Sequence, residues 1–225
     1  MDEMLNNLFN SKPEKFPRIF DTFIKAANEK HILFYFKDPS AQQGIESLNF
    51  AGRIKEFDGD YLHINNVNFA GAKSNLFVEN FVKQEINVEN GDLVKTLTLT
   101  YKNPAPASNC NLEAGQLCLN GILRNWIRIY VPKGSTLIDF AGSEKPSLVY
   151  DELGKTVFEG FITVKPQGSS EVKVKYRLPT QVNNKKPYSI LIQKQPGTDN
   201  DEFEFKFNKF QDKFILETDK IISLT

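Results

Sequence analysis

Histidine is scarce in this sequence, and the short motifs that arrange catalytic residues are missing. It contains only 2 His. It has no His-Glu-x-x-His, Gly-x-Ser-x-Gly, phosphate-loop or dinucleotide-binding motif. His31 and His63 each lie in an apolar, strand-like segment, which is typical of a structural histidine. Carboxylate pairs such as Glu152 and Glu159 could meet only in space, and surface charge is the simpler interpretation. We therefore expect a protein that is not an enzyme and that has no cofactor.

The sequence also lacks a cluster of oxygen ligands with the spacing of a known metal-binding loop. Asp199-Asn200-Asp201-Glu202 and Asp58-Gly59-Asp60 could present oxygens to Ca²⁺, but neither has the spacing of a calcium loop with its terminal Glu. Both lie between strand-like segments, where Asp, Asn and Gly favour turns. We expect turns and no metal site, with calcium at the first cluster as the alternative.

The chain has no excess of charge of either sign. Lys plus Arg and Asp plus Glu each number 28, whereas a nucleic-acid-binding domain normally has a basic excess. The short basic runs at residues 173–175 and 185–186 are typical of a solvated face. No apolar run is long enough to span a bilayer, and the acidic start does not resemble a signal peptide. We expect no nucleic-acid partner and no direct membrane insertion by this fragment.

Cysteine occurs twice, at Cys110 and Cys118, with seven residues between the two. No His or second Cys pair lies nearby to complete a zinc site. Two cysteines at loop spacing indicate a disulfide and an oxidising compartment, with two free thiols in a cytosolic protein as the alternative. We call residues 104–124 the cysteine loop. It is the longest irregular segment, and it is our first candidate for contact with a partner.

The N-terminal part combines helical and strand-like patterns. Residues 14–28 predict an amphipathic helix, because apolar residues recur at helical spacing at Phe16, Ile19, Phe20, Phe23, Ile24 and Ala27. The continuous apolar run at 31–36 predicts a strand buried on both faces. Asp38 before Pro39 predicts the N-cap of a short helix that ends near Leu48.

The remainder has the period-two alternation of β-strands. Asn90-Gly91 predicts a hairpin between strands at 76–88 and 93–101. Leu97, Leu99 and Tyr101 should share one face of the second strand. Additional strands are predicted at residues 61–67, 126–131, 136–140, 156–164, 171–178, 188–193, 202–207 and 213–216.

These patterns together predict a mainly β protein in two parts. Residues 1–75 should form a small α/β segment: an amphipathic helix, a buried strand and a short helix. Residues 76–225 should form an immunoglobulin-like β-sandwich, because short strands alternate with turn signals along this whole stretch. We expect Trp126 in the core of that sandwich.

Five segments of the chain carry a family resemblance. They are residues 31–39 (HILFYFKDP), 68–75 (NFAGAKSN), 128–134 (RIYVPKG), 152–158 (ELGKTVF) and 193–198 (QKQPGT). In combination they resemble the C-terminal part of the bacterial membrane-anchored family catalogued as domain of unknown function 4012. The resemblance implies a cell-surface, extracytoplasmic position, tethered through an N-terminal transmembrane helix absent from this chain. It implies no reaction.

The resemblance also marks Asn68, Gly71 and Lys73 as a candidate functional loop. The family pattern Asn-x-Gly-Gly-Asn-Lys appears here as Asn68-Phe69-Ala70-Gly71-Ala72-Lys73, which departs from it at two positions. The alternative is a tight connection between the N-terminal part and the sandwich, in which Gly71 supplies a permissive backbone.

The leading functional hypothesis is a non-catalytic cell-envelope module that acts as a scaffold or recognises a protein or glycan. One alternative is an accessory domain of a cell-envelope enzyme whose active site lies in the missing N-terminal portion. Another is a glycan-binding module that uses Trp126 and nearby tyrosines. A glycan module needs an exposed aromatic platform, whereas a protein-recognition module needs an exposed apolar patch.

Overall fold

The computed structural model describes residues 3, 6, 10, 12–184, 187–199 and 201–224. The chain divides into two compact units. One comprises Met1–Arg53 and Pro196–Thr198, and the other comprises Ile54–Gln195 and Asp199–Thr225. Strands greatly outnumber helices, so the protein is mainly β.

The first unit is built on two helices, α1 (Phe16–Asn28) and α2 (Pro39–Ser47). A 3-10 turn at Pro13–Lys15 precedes α1. Helix α2 begins with a side-chain cap, because the backbone N–H of Ala41 donates to Oδ1 of Asp38 at 2.8 Å. Pro39 occupies the first turn, where its missing N–H costs no helical hydrogen bond.

The predicted buried strand at residues 31–36 is wrong. Tyr35 and Phe36 are exposed, and the segment is extended without a strand partner. Its backbone N–H groups donate to the carbonyls of Ala26 and Phe50 and to the side chain of Gln42, none of which belongs to a strand. A strand requires a neighbouring strand, and the described residues of this unit contain none. The unit is therefore helical with extended chain rather than α/β.

The second unit contains two six-stranded sheets and a short helix, α3 (Thr180–Asn183). In chain order the strands are β1 (Asp60–Asn68), β2 (Glu79–Glu89), β3 (Asp92–Asn103), β4 (Leu123–Pro132), β5 (Thr136–Ala141), β6 (Leu148–Glu152), β7 (Lys155–Val164), β8 (Gly168–Arg177), β9 (Tyr188–Gln193), β10 (Asp201–Phe207), β11 (Phe210–Leu216) and β12 (Lys220–Leu224). The first sheet has the order β12-β9-β1-β4-β7-β6, and the second has the order β11-β10-β2-β3-β8-β5. Both sheets are mixed, because β1 runs parallel to β9 and β2 runs parallel to β10.

The two sheets pack on a shared apolar core. Ile129 and Phe158 of the first sheet and Leu97, Val174 and Phe205 of the second belong to one cluster of fully buried side chains. Burial of this apolar surface is the main stabilising contribution to the unit. The structure thereby confirms the coarser prediction, a mainly β protein built as a two-sheet sandwich.

The β2–β3 hairpin forms where the sequence predicts it. Asn90 and Gly91 both have positive φ, at 52° and 87°, as a two-residue type I′ turn requires. The pairing of Glu89 with Asp92 closes the turn. This hairpin sets the register of two central strands of the second sheet.

Strand β1 lies in the interior of the first sheet, between β9 and β4. It comes before the predicted domain boundary between residues 75 and 76, so the sandwich sheet includes residues from the predicted N-terminal segment. The predicted boundary between two domains, after residue 75, stays a prediction.

Candidate functional site

Two loops meet at the end of the sandwich where β1 and β3 finish and β4 begins. The hydroxyl of Ser74, which is fully buried, donates to the carbonyl of Gly121 at 2.9 Å. The same oxygen accepts the N–H of Gly121 at 3.1 Å. These bonds join the segment after β1 to the cysteine loop. We call residues 69–76 and 104–122 together the loop surface.

A disulfide and side-chain hydrogen bonds constrain the cysteine loop. The structure pairs Cys110 with Cys118 in a disulfide. In addition, the buried side chain of Asn120 donates from Nδ2 to the carbonyls of Ala105 and Pro106, at 3.2 and 2.8 Å. Such cross-links fix the shape of a loop that has almost no regular secondary structure. A rigid loop loses less conformational freedom on binding.

The loop surface is apolar and carries little charge. Its exposed large apolar side chains are Phe69, Leu76, Leu112, Leu117, Leu119 and Ile122. Between Pro104 and Leu123 the only charged residue is Glu113, although 25% of the whole chain is charged. Depletion of charge and exposure of apolar groups are features of the central part of protein–protein interfaces.

The three predicted loop residues lie together at the start of this surface. Oδ1 of Asn68 accepts the N–H of Ala70 at 2.9 Å, and its Nδ2 donates to the carbonyl of Ala72 at 2.8 Å. Gly71 has a φ of 79°, in the left-handed region that glycine tolerates best. These contacts shape a tight turn, and Lys73 remains exposed at its end.

Trp126 lies on the outer face of the first sheet, which corrects the prediction that it belongs to the core. Its neighbours in β4, Asn125 and Ile127, are buried, and the indole lies on the opposite face of the sheet and is half-buried. Its ring centroid is 5.8 Å from that of Phe69. The guanidinium of Arg128 lies 4.6 Å from the indole centroid. The two ring planes are inclined at 47°, so they do not form a coplanar platform.

Glu152 and Glu159 also lie on this outer face, and a tyrosine hydroxyl contacts each of them. Tyr130 donates to Glu152 at 2.5 Å, and Tyr150 donates to Glu159 at 2.9 Å. Burial and the bond to Glu159 raise the pKa of Tyr150 to about 12. A phenol so weakly acidic is poorly matched to proton transfer near neutral pH. Arg128, 3.5 Å from Glu152, adds a positive charge to the group.

The other candidates from the sequence occupy separate places. His63 is buried, and its Nδ1 lies 3.0 Å from the carbonyl of Gln193. His31, in the first unit, lies 3.7 Å from Glu29. Asp201 accepts a hydrogen bond from Asn80 at 3.0 Å. Among the residues that the structure describes, no group of three or more His, Cys, Asp or Glu is arranged to hold a metal ion.

One buried charged pair has no counterpart in the sequence-based predictions. Nζ of Lys95 lies 2.6 Å from Oδ2 of Asp60, and both side chains are fully buried. Burial lowers the pKa of Lys95, while the neighbouring Asp60 raises it in part. The sequence contained a signal for this pair, because Lys95 occupies the same face of β3 as Leu97 and Tyr101. Period-two alternation therefore places a lysine in the core.

No family model matches the sequence, and no curated protein matches it. Within the described parts of the chain, no helix combines the length and apolar character needed to cross a membrane. The resemblance to the family of unknown function 4012 therefore remains an expectation from the five sequence segments.

Proposed function

We propose that this chain is a non-catalytic recognition module of a membrane-anchored bacterial cell-envelope protein, and that its loop surface binds a protein partner. The observation that carries this is the combination of exposed apolar side chains and near-absence of charge on two loops that hydrogen-bond to each other. An apolar surface of this kind recognises another apolar surface more readily than a nucleic acid or a metal ion.

The energetics favour binding through the leucines at the tip of the cysteine loop. Leu112 and Leu117 are 69% and 70% exposed, so a partner could bury most of both. Full burial of such a side chain contributes about 1.5–3 kcal/mol before the cost of association. The disulfide and the bonds from Asn120 reduce the ordering cost, because the loop already has a fixed shape.

The disulfide and the family resemblance support an extracytoplasmic position. A disulfide between Cys110 and Cys118 is stable outside the cytoplasm and is rare within it. The resemblance implies a domain on the outer side of a membrane, tethered by a helix beyond this chain. We therefore propose an extracytoplasmic module that scaffolds or recognises other envelope components.

Within this proposal the sandwich belongs to the immunoglobulin-like class. Such domains have about seven to nine strands in two mainly antiparallel sheets. The two six-stranded sheets here also contain parallel pairs, β1 with β9 and β2 with β10. An immunoglobulin-like assignment therefore requires more strands than the about seven to nine of such a domain.

The test compares two double variants of the full chain. Leu112→Ser with Leu117→Ser changes the loop surface, whereas Leu148→Ser with Leu153→Ser changes two other exposed leucines on the β6–β7 hairpin. Each protein serves as bait for envelope extract, and a captured protein is then purified and its Kd measured by calorimetry. We expect the loop variant to bind at least about tenfold more weakly and the hairpin variant to bind normally. Equal affinity for both variants would refute the loop surface as the contact.

A second candidate function is glycan binding at Phe69, Trp126 and Arg128. It is favoured by the outward position of Trp126, next to an exposed Phe69. Since Trp126 is the only tryptophan, its fluorescence directly reports ligands at this face. Titration with peptidoglycan fragments should change the emission if this candidate is correct. An unchanged spectrum at millimolar glycan would leave protein recognition alone.

A further inference from the structure

The buried pair Lys95 and Asp60 joins the two sheets of the sandwich. Lys95 lies on β3 of the second sheet, and Asp60 begins β1 of the first sheet. The ring of Tyr176 lies beside the amine, with Nζ 5.6 Å from its centroid. The hydroxyl of Tyr188 donates to Oδ2 of Asp60. An amine and a carboxyl group are thus held in contact, 2.6 Å apart, in a fully buried site.

We propose that Lys95 and Asp60 condense spontaneously to an amide, an isopeptide bond that cross-links the two sheets. The site is a self-modification site, and it requires no enzyme and no cofactor. It does not depend on the proposed recognition function, because it lies in the core and involves no residue of the loop surface.

The two oxygens of Asp60 are held in different ways, and the difference matches the needs of an acyl substitution. Oδ1 accepts the backbone N–H of Tyr61 at 2.7 Å. A fixed N–H in that position stabilises the negative charge that develops on the carbonyl oxygen of a tetrahedral intermediate. Oδ2 contacts both Nζ of Lys95 and the hydroxyl of Tyr188, so it is the oxygen placed to receive protons.

The step balances as the loss of one water molecule. A proton first passes from the ammonium of Lys95 to Oδ2, which gives a neutral amine and a neutral acid. The nitrogen attacks Cγ of Asp60, and Oδ1 becomes the oxyanion held by Tyr61. A second proton passes from the nitrogen to Oδ2, with the hydroxyl of Tyr188 as relay. The Cγ–Oδ2 bond breaks, water leaves, and the nitrogen retains one hydrogen.

Burial favours both the nucleophile and the product. Burial lowers the pKa of Lys95, which raises the fraction of neutral, nucleophilic amine. The reaction also replaces two buried charges with an uncharged amide, and so it removes the desolvation cost of the ion pair. Contact in the folded state supplies the orientation that the same groups lack in solution.

Tyr188 links the site to a cleft in the surface of the sandwich. Tyr188 lines a cleft at this end of the sandwich, together with Leu93 and Phe207. The ring of Tyr188 packs against that of Phe207 at 4.9 Å. Tyr188 thus contacts Asp60 and also lines the cleft, and the released water leaves on this side of the core.

The decisive experiment is the intact mass of the folded full chain. We expect a mass below the sequence mass by one water molecule in addition to the two hydrogens lost at the disulfide. We also expect a branched peptide that joins the segments containing Lys95 and Asp60 after proteolysis. Lys95→Arg is the matched control, because it retains the positive charge and lacks the primary amine. It should show no loss of water.

Tyr188→Phe separates the proton-relay role from mere contact. This variant should still fold and should form the bond more slowly, as followed by mass after refolding from denaturant. A folded protein that retains the water after prolonged incubation would overturn the inference, and the pair would then be an ion pair only. Loss of water in Lys95→Arg as well would also overturn it, because the modification would then lie elsewhere.

Discussion

The hydroxyl of Tyr101 in β3 donates to Oδ1 of Asn66 in β1 at 2.7 Å, and this hydrogen bond joins the two sheets. The same oxygen also accepts from Nδ2 of Asn125 at 2.8 Å. Burial raises the pKa of Tyr101, so the phenol remains a neutral donor over the physiological range. The core of this sandwich is therefore not purely apolar, and it contains a hydrogen bond between polar side chains of the two sheets.

Tyr101→Phe should destabilise the second unit by about 1 kcal/mol, at the low end for a buried hydrogen bond, because Asn66 keeps its contact with Asn125. The free energy of unfolding in urea measures the change. Tyr35→Phe, at a tyrosine that is 76% exposed, is the control and should have no effect. An unchanged stability for Tyr101→Phe would show that this bond is replaced by water at no cost.

Gly160 lies against the ring of Phe140, and a Cβ at this position would be 2.5 Å from Cζ of that ring. Gly160→Ala should therefore cost about 1–3 kcal/mol through overpacking. The matched test is a double-mutant cycle with Phe140→Ala, which removes the obstructing ring. The cost of Gly160→Ala should fall sharply in that background. Additive effects would place the strain elsewhere.

Asp201 gives the protein a predictable response to pH. Burial raises its pKa above the ordinary value of 3.8. The folded state therefore holds the proton to higher pH than the unfolded state, and stability falls as the pH rises through this window. Asp201→Asn removes the titration and keeps an oxygen acceptor for Asn80. The variant should be more stable than the unchanged chain at pH 7 and equally stable below pH 3.8, as measured by thermal unfolding over pH. A constant difference across the whole range would contradict the assignment.

The disulfide between Cys110 and Cys118 should stabilise the protein mainly because it closes the cysteine loop. Closing a loop of this length contributes about 2.5 kcal/mol in the chain-entropy model. Cys110→Ser with Cys118→Ser should lose this amount in urea unfolding, and a reducing agent should have no further effect on the variant. The same variant should bind a partner of the loop surface more weakly, because the loop then pays an ordering cost. A disulfide that affects neither property would be incidental.

The loops and turns were largely predictable, because local chemistry determines them. Asn90 and Gly91 can both adopt positive φ, so they specify the β2–β3 turn without help from the rest of the chain. The pairing of Cys110 with Cys118 follows from their spacing. Edge strands β6 and β12 were missed, because segments of 5 residues are too short to show a clear alternation.

Errors arose where position in the fold overrides local pattern. The apolar run at 31–36 satisfies the rule for a buried strand, yet it has no strand to pair with. Trp126 follows the alternation of β4 to the outer face, although the usual position of a tryptophan on a central strand of a sandwich predicted the core. In both cases the outcome depends on the segments that lie next to the residue in the fold, and the local sequence does not specify them.

By itself the sequence determined the mainly β character, the hairpin turn and the chemistry available at each position. These depend on the periodicity of side chains and on the backbone preferences of single residues. Only the tertiary structure decided that Asp60 meets Lys95 and that β1 pairs with β9, since these partners are far apart in the chain. Contacts of this kind arise from the assembly of strands into each sheet and from the packing of the two sheets, which no short segment specifies.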